Sequence, residues 1–238
     1  MKLIVANLKL YLDGTTLKMY LQEAKNFKEN IIICPTSIHI PYFLNNTYKV
    51  GIQNIAPKNI PSQTGEISSL QAKNLGVSYA IIGHSERRIN FNENDELINQ
   101  KVKEALTNNL KPILCVGETL EEHQNSQTLN VVKTQLEKGL KDIKEEIIIA
   151  YEPVFAIGTG KVPNNTLIEE VTNFIKNETQ KITNKAPKVL YGGSVNNENI
   201  LTLEQLKTID GYLIGSASAK IEVFKDLISK IMWQKTTK

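Results

Sequence analysis

The stretch from Val77 to Gly117 reads VSYAIIGHSERRINFNENDELINQKVKEALTNNLKPILCVG. It opens and closes on short runs, VSYAIIG and KPILCVG, that are apolar without strict alternation. Continuous hydrophobicity of this kind suits parallel strands covered on both faces. Between them, from Asp95 to Asn109, Leu97, Ile98, Val102, Ala105 and Leu106 recur at the spacing of one helix face. The stretch is therefore a strand, a helix and a second strand.

The same unit repeats in both directions along the chain. LIVAN, IIICP, KVGIQ, EIIIAYE, KVLYG and GYLIG bring the strand candidates to eight, and amphipathic segments separate them. Asn164 to Ile182 is one such segment, with Asn164 or Asn165 as its N-cap. No linker, low-complexity tract or change of composition divides residues 1–238. Eight β-then-α units in a single domain are the count of a (β/α)8 barrel. The competing architecture, a doubly wound open sheet, usually carries a glycine-rich phosphate fingerprint after its first strand. ANLKLYLDG has none.

Composition sets limits on function. The chain has 28 basic and 25 acidic residues, a formal net charge of +3, spread along its length. That balance predicts neither a nucleic-acid footprint nor a membrane-binding patch. Cys34 and Cys115 sit in apolar runs and read as buried, reduced thiols, at a spacing that suits no metal motif. In MKLIVANLKLYL, Asn7 and Lys9 interrupt the apolar run and no small-residue cleavage site follows. The expectation is a cytoplasmic protein.

In a (β/α)8 barrel the chemistry belongs to the loops after the strand C-termini. Read in turn, those ends offer Asn7 and Lys9, Cys34-Pro35, Gln53-Asn54, His84 with Glu86, Gly117-Glu118, Glu152, Gly192-Gly193-Ser194 and Gly215-Ser216. One ring thus holds a lysine, a histidine and a glutamate. Small-residue turns after strands 7 and 8 are the usual phosphate site of this architecture, because backbone N–H groups there can approach phosphate oxygens.

Glu152 ends an apolar strand ahead of Pro153, where burial would make its carboxylate a stronger base. A buried structural carboxylate paired with a lysine is the equal alternative. Ala156-Ile157-Gly158-Thr159-Gly160, flanked by Pro153 and Pro163, reads as a lid over the site or as a plain surface loop. His84 follows Ile82-Gly83, and Ser85 is placed to cap a short helical turn with Glu86 at its positive end. A ring accepting a backbone N–H there would stay neutral and could donate from its other nitrogen. His39 and His123 read as structural. Lys9, set between Leu8 and Leu10, would be a fixed positive charge for an anionic substrate.

Several of these elements together resemble the triosephosphate isomerase family. The resemblance spans the chain and rests on Asn7-x-Lys9, TGE (Thr64–Glu66), GHSERR (Gly83–Arg88), CVGE (Cys115–Glu118), AYEPVFAIGTGK (Ala150–Lys161), YGGSV (Tyr191–Val195) and DGYLIG (Asp210–Gly215). It implies the (β/α)8 TIM barrel and the interconversion of dihydroxyacetone phosphate and glyceraldehyde 3-phosphate, with no metal and no cofactor. By the same match Glu152 is the base, His84 polarises the carbonyl, and Lys9 supplies positive charge. Asn7 lines the pocket; Gly158, Ser194, Gly215 and Ser216 bind phosphate; Glu86 supports the site from beside the histidine. The resemblance also implies a homodimer, in which the long Asn54–Glu66 segment enters a second subunit. Thr64 then lies near the partner's active site, and Arg87 pairs with Glu66 across the interface.

The chain departs from the family pattern at four places. The first-strand motif reads Asn7-Leu8-Lys9-Leu10-Tyr11 where N-W-K-M-N is common, and Phe155 stands where the lid usually has tryptophan. Gly215-Ser216 replaces a glycine pair, which predicts strain if Ser216 needs a positive φ. Pro163 lacks the N–H that often meets the tyrosine of YGG, so Tyr191 is expected to contribute less than in relatives that have an amide there.

Overall fold

In a computed structural model of the chain, residues 2–156 and 163–233 are described. The first half runs β1 (Leu3–Asn7), α1 (Gly14–Ala24), β2 (Ile31–Cys34), α2 (Ile40–Phe43), β3 (Lys49–Ile52), α3 (Ser69–Leu75), β4 (Tyr79–Ile82), α4 (Ser85–Asn90) and α5 (Asp95–Thr107). The second runs β5 (Lys111–Val116), α6 (Leu120–Gln124), α7 (Thr128–Gly139), β6 (Ile148–Tyr151), α8 (Asn165–Thr183), β7 (Lys188–Tyr191), α9 (Ile200–Leu203), β8 (Gly211–Ile214), α10 (Ser216–Ala219) and α11 (Ile221–Trp233). All eight strands fall inside the runs expected from the sequence.

Each strand pairs in parallel with its neighbour, and β1 pairs with β8 to close the barrel. Closure depends on a missing side chain. Leu3 is in register with Gly211, and a Cβ at Gly211 would lie 2.0 Å from the Leu3 carbonyl oxygen.

Alternation along the strands divides the apolar residues between two cores. Val5, Ile32, Ile81, Ile113, Ala150, Leu190 and Leu213 fill the barrel interior, together with both free cysteines. Their neighbours Ile4, Ile33, Ile82, Leu114, Ile149 and Val189 face outward to meet the helices. This two-sided burial explains why the strand runs do not alternate in hydropathy. Each fully buried Ile or Leu stabilises the barrel by about 1.5–3 kcal/mol relative to exposure.

Helix α5 presents Ile98, Val102 and Ala105 to the barrel, and the Asn94 side chain caps it by accepting from Leu97 N. Asn164 does the same for α8 through Leu167 N. Such caps fix where each loop ends and its helix begins, and hence where the strand-end residues point. Among the described residues, no helix is long and apolar enough to cross a membrane.

Candidate active site

The first strand exits through a constrained turn. The Asn7 side chain accepts from Lys9 N at 3.2 Å, and Lys9 itself is left-handed, with φ +45°. For a residue with a Cβ that conformation costs on the order of 1–2 kcal/mol. Gln53 offsets it by donating its amide to the carbonyls of both Lys9 and Cys34, each at 3.0 Å. The strained turn aims the lysine side chain across the barrel mouth, where Nζ meets Glu86 Oε1 at 2.5 Å.

The fourth strand delivers His84. Gly83, at φ +71°, turns the chain, and His84 becomes the N-cap of α4. Its Nδ1 accepts from Glu86 N at 3.2 Å, which leaves the ring proton on Nε2. This corrects the expectation that Ser85 would cap the turn. The Ser85 N–H is instead engaged by Glu152 Oε2, at 2.9 Å. Glu152 Oε1 lies 3.1 Å from His84 Nε2, so the carboxylate and the ring meet directly. Both are almost wholly buried, Glu152 at 2% exposure and His84 at 7%.

Glycines fix where Glu152 stands. A Cβ at Gly117 would sit 1.8 Å from the Glu152 carbonyl oxygen, and one at Gly192 would sit 2.9 Å from Glu152 Cγ. Among the described residues Glu152 meets no lysine, against the reading of it as a lysine's structural partner: Lys9 pairs with Glu86 while Glu152 pairs with His84.

Asn7, Lys9, His84 and Glu152 open on a cavity of about 100 Å³, whose far wall is Gly192, Gly193, Ser194, Gly215 and Ser216. The small-residue turns after β7 and β8 thus face the three charged or titratable groups. Ser216 begins α10 and is not among the residues with positive φ, so its replacement of glycine carries no left-handed strain. Gly158 and the rest of the expected lid, residues 157–162, lie outside the described residues. Among those described, no three His, Cys, Asp or Glu side chains group as a metal site would need.

The family model for triosephosphate isomerase matches residues 2–231. The chain belongs to the triosephosphate isomerase family. It is 40% identical to the triosephosphate isomerase of Mesomycoplasma hyorhinis, over 89% of this chain and 88% of that one. Its identity to the Malacoplasma penetrans enzyme is also 40%, over 95% and 97% of the two chains. For Thermodesulfovibrio yellowstonii the figure is again 40%, over 91% and 94%.

Beside the strand that carries Glu152 lies a polar cluster whose linkage the sequence did not reveal. Glu118 is fully buried, and its Oε1 accepts from the Tyr151 hydroxyl at 3.1 Å and from Thr128 Oγ1 at 3.2 Å. Burial pushes the Glu118 carboxyl above its ordinary range. The adjacent Tyr191 hydroxyl is buried and has no hydrogen-bond partner among the described residues. That accords with Pro163, which offers no N–H. His123, expected to be structural, reaches the same cluster through Thr128. His39 makes an edge contact with Tyr42.

Two of the expected interface residues, Glu66 and Arg87, line a second, open cavity of about 580 Å³, which shares Asn7, Lys9 and His84 with the first. Gly65, Glu66, Arg87 and Phe91 line it together with Lys9, His84 and Glu86. Thr64 and Glu66 are exposed. Within the chain, the Arg87 Nε is already taken by Glu93 at 2.5 Å, and the guanidinium lies over the Phe91 ring.

Proposed function

We propose that this chain interconverts dihydroxyacetone phosphate and glyceraldehyde 3-phosphate. The observation that supports it best is the 3.1 Å approach of Glu152 Oε1 to His84 Nε2 inside a cavity backed by small-residue turns. A base and a proton donor that close together can act on adjacent carbons of one small substrate.

Glu152 takes a proton from the carbon beside the carbonyl and returns it to the former carbonyl carbon once the enediolate has formed. His84, with its proton on Nε2, donates to the carbonyl oxygen and then carries protons between the two oxygens of the enediolate. Triosephosphate isomerase is itself a standard illustration of this pairing of glutamate with neutral histidine. Lys9 supplies fixed positive charge to the developing oxyanion and to the phosphate. The backbone at Ser194, Gly215 and Ser216, with Gly158, would hold the phosphate. Asn7 and Glu86 set Lys9, one at its backbone and the other at its ammonium.

The site is proposed to work in a dimer. Leu10 is 86% exposed and Phe91 63%, and both line the open cavity. A second copy's Thr64–Glu66 loop would cover them, with Glu66 meeting the Arg87 nitrogens that Glu93 leaves open. Sedimentation of the purified protein should give the mass of two chains, and a single-chain mass would remove the dimer from this reading.

The activity is tested by following glyceraldehyde 3-phosphate conversion with Glu152→Asp beside the wild type. Shortening the side chain withdraws the carboxylate by ~1 Å, which should cut turnover roughly 10²-fold while the fold persists. Undiminished turnover in the variant would exclude Glu152 as the base.

A further inference from the structure

His123 sits on α6, outside the ring of side chains around the cavity, yet it touches the segment that carries the base. Its ring lies flat on Phe155, with centroids 4.6 Å apart and planes inclined by 20°. Its Nδ1 stands 3.2 Å from Thr128 Oγ1. Thr128 has one hydroxyl proton and donates it to the Glu118 carboxylate, so it must receive from His123. The imidazole therefore carries a proton on Nδ1, and that bond sets the ring plane on which Phe155 rests.

The consequence concerns the backbone on either side of Glu152. One residue before it, Tyr151 is tied to Glu118 Oε1. Two residues after it, Val154 N donates to the Glu118 carbonyl at 3.0 Å. Three after, Phe155 is stacked on His123. The stretch Glu118–His123 thus anchors three points that bracket the base, and none of Glu118, His123, Tyr151 or Phe155 lines the cavity itself.

We propose that His123 is a positioning residue for Glu152, holding the backbone around the base through Phe155 and through Thr128 and Glu118. This rests on the isomerase reading above. A residue acting this way should govern how well the base meets the substrate carbon, and should leave the phosphate turns untouched. Its loss should appear in kcat and hardly in KM.

The test measures kcat and KM with glyceraldehyde 3-phosphate for the wild type, His123→Ala, Glu152→Asp and the double variant. His123→Ala should lower kcat about tenfold and leave KM within about twofold. In the Glu152→Asp background the carboxylate is already displaced, so the same change should cost less than about twofold. His123→Asn keeps a donor for Thr128 and His123→Phe keeps the stacked ring, so each should restore part of the lost kcat. Should His123→Ala not fold, those two variants carry the comparison in both backgrounds. An equal loss in the two backgrounds, or lowered thermal stability with kcat intact, would show a purely structural residue and overturn the proposal. So would ¹⁵N NMR placing the only ring proton on Nε2 of His123. An inactive wild type would overturn the isomerase reading and the proposal with it. An active wild type indifferent to His123→Ala would overturn the proposal alone.

Discussion

His84 and Glu152 face each other at 3.1 Å, yet the chain places them by opposite means. His84 is positioned locally: Gly83 turns the chain, and a backbone N–H two residues on fixes the ring. Glu152 is positioned from a distance. Gly117 and Gly192 leave room for it, Ser85 accommodates its carboxylate, and Glu118 holds the residues around it. A side chain set by its own neighbours tolerates change elsewhere, whereas one set by several remote segments is exposed to change in each of them.

The sharpest way to break that contrast is Gly117→Ala. The added Cβ would lie 1.8 Å from the Glu152 carbonyl oxygen, so β5 and the base must part. Overpacking of this kind costs about 1–3 kcal/mol, and displacement of the base by ~1 Å should cut kcat 10²-fold or more. Steady-state kinetics with thermal melting checks both effects, and near-normal turnover would mean Glu152 is not held from this side.

A pair of variants tests the local half. His84→Asn retains an acceptor for Glu86 N but loses the Nε2 donor, while His84→Ala loses both. The two should be about equally inactive, with kcat down roughly 10²-fold or more. His84→Asn should nevertheless be more stable than His84→Ala by about 1 kcal/mol, the worth of an N-cap. Equal stabilities would show that the cap contributes nothing.

Glu118 offers a pH test. Burial raises its folded pKa above the ordinary 4.5, so its contribution to stability is fully present below 4.5 and is lost as pH rises through the raised value. Glutamine carries no such dependence. The Tm of Glu118→Gln relative to wild type should therefore climb between pH 4.5 and neutrality, and a flat or falling difference would contradict the raised pKa.

The smallest effect is expected at Tyr191. Its hydroxyl has no partner among the described residues, so Tyr191→Phe should leave kcat within about twofold and stability unchanged or higher by about 1 kcal/mol. A tenfold loss of kcat would show that the hydroxyl is engaged during turnover.

The same contrast explains what could be read from sequence. All eight strands were legible because each is a continuous apolar run, and Asn164, one of two cap candidates beside Asn165, marked the start of α8 by its chemistry. The convergence of Lys9, His84 and Glu152 followed from the strand-end rule of the barrel. Ser85 misled because serine is a favoured cap, whereas the preceding imidazole reached the free N–H first. His123 was passed over because Thr128, Glu118 and Phe155 meet it only after β5, α6, α7 and β6 have packed. The Arg87–Glu93 pair within the chain was likewise missed.

Gly117 has no side chain to carry a charge or move a proton, and a search for reactive groups would pass it by. Its contribution is an absence, since the volume that any other residue's first carbon would fill belongs to the backbone of Glu152. A single methyl group added there, at a position where no side chain acts, would displace Glu152.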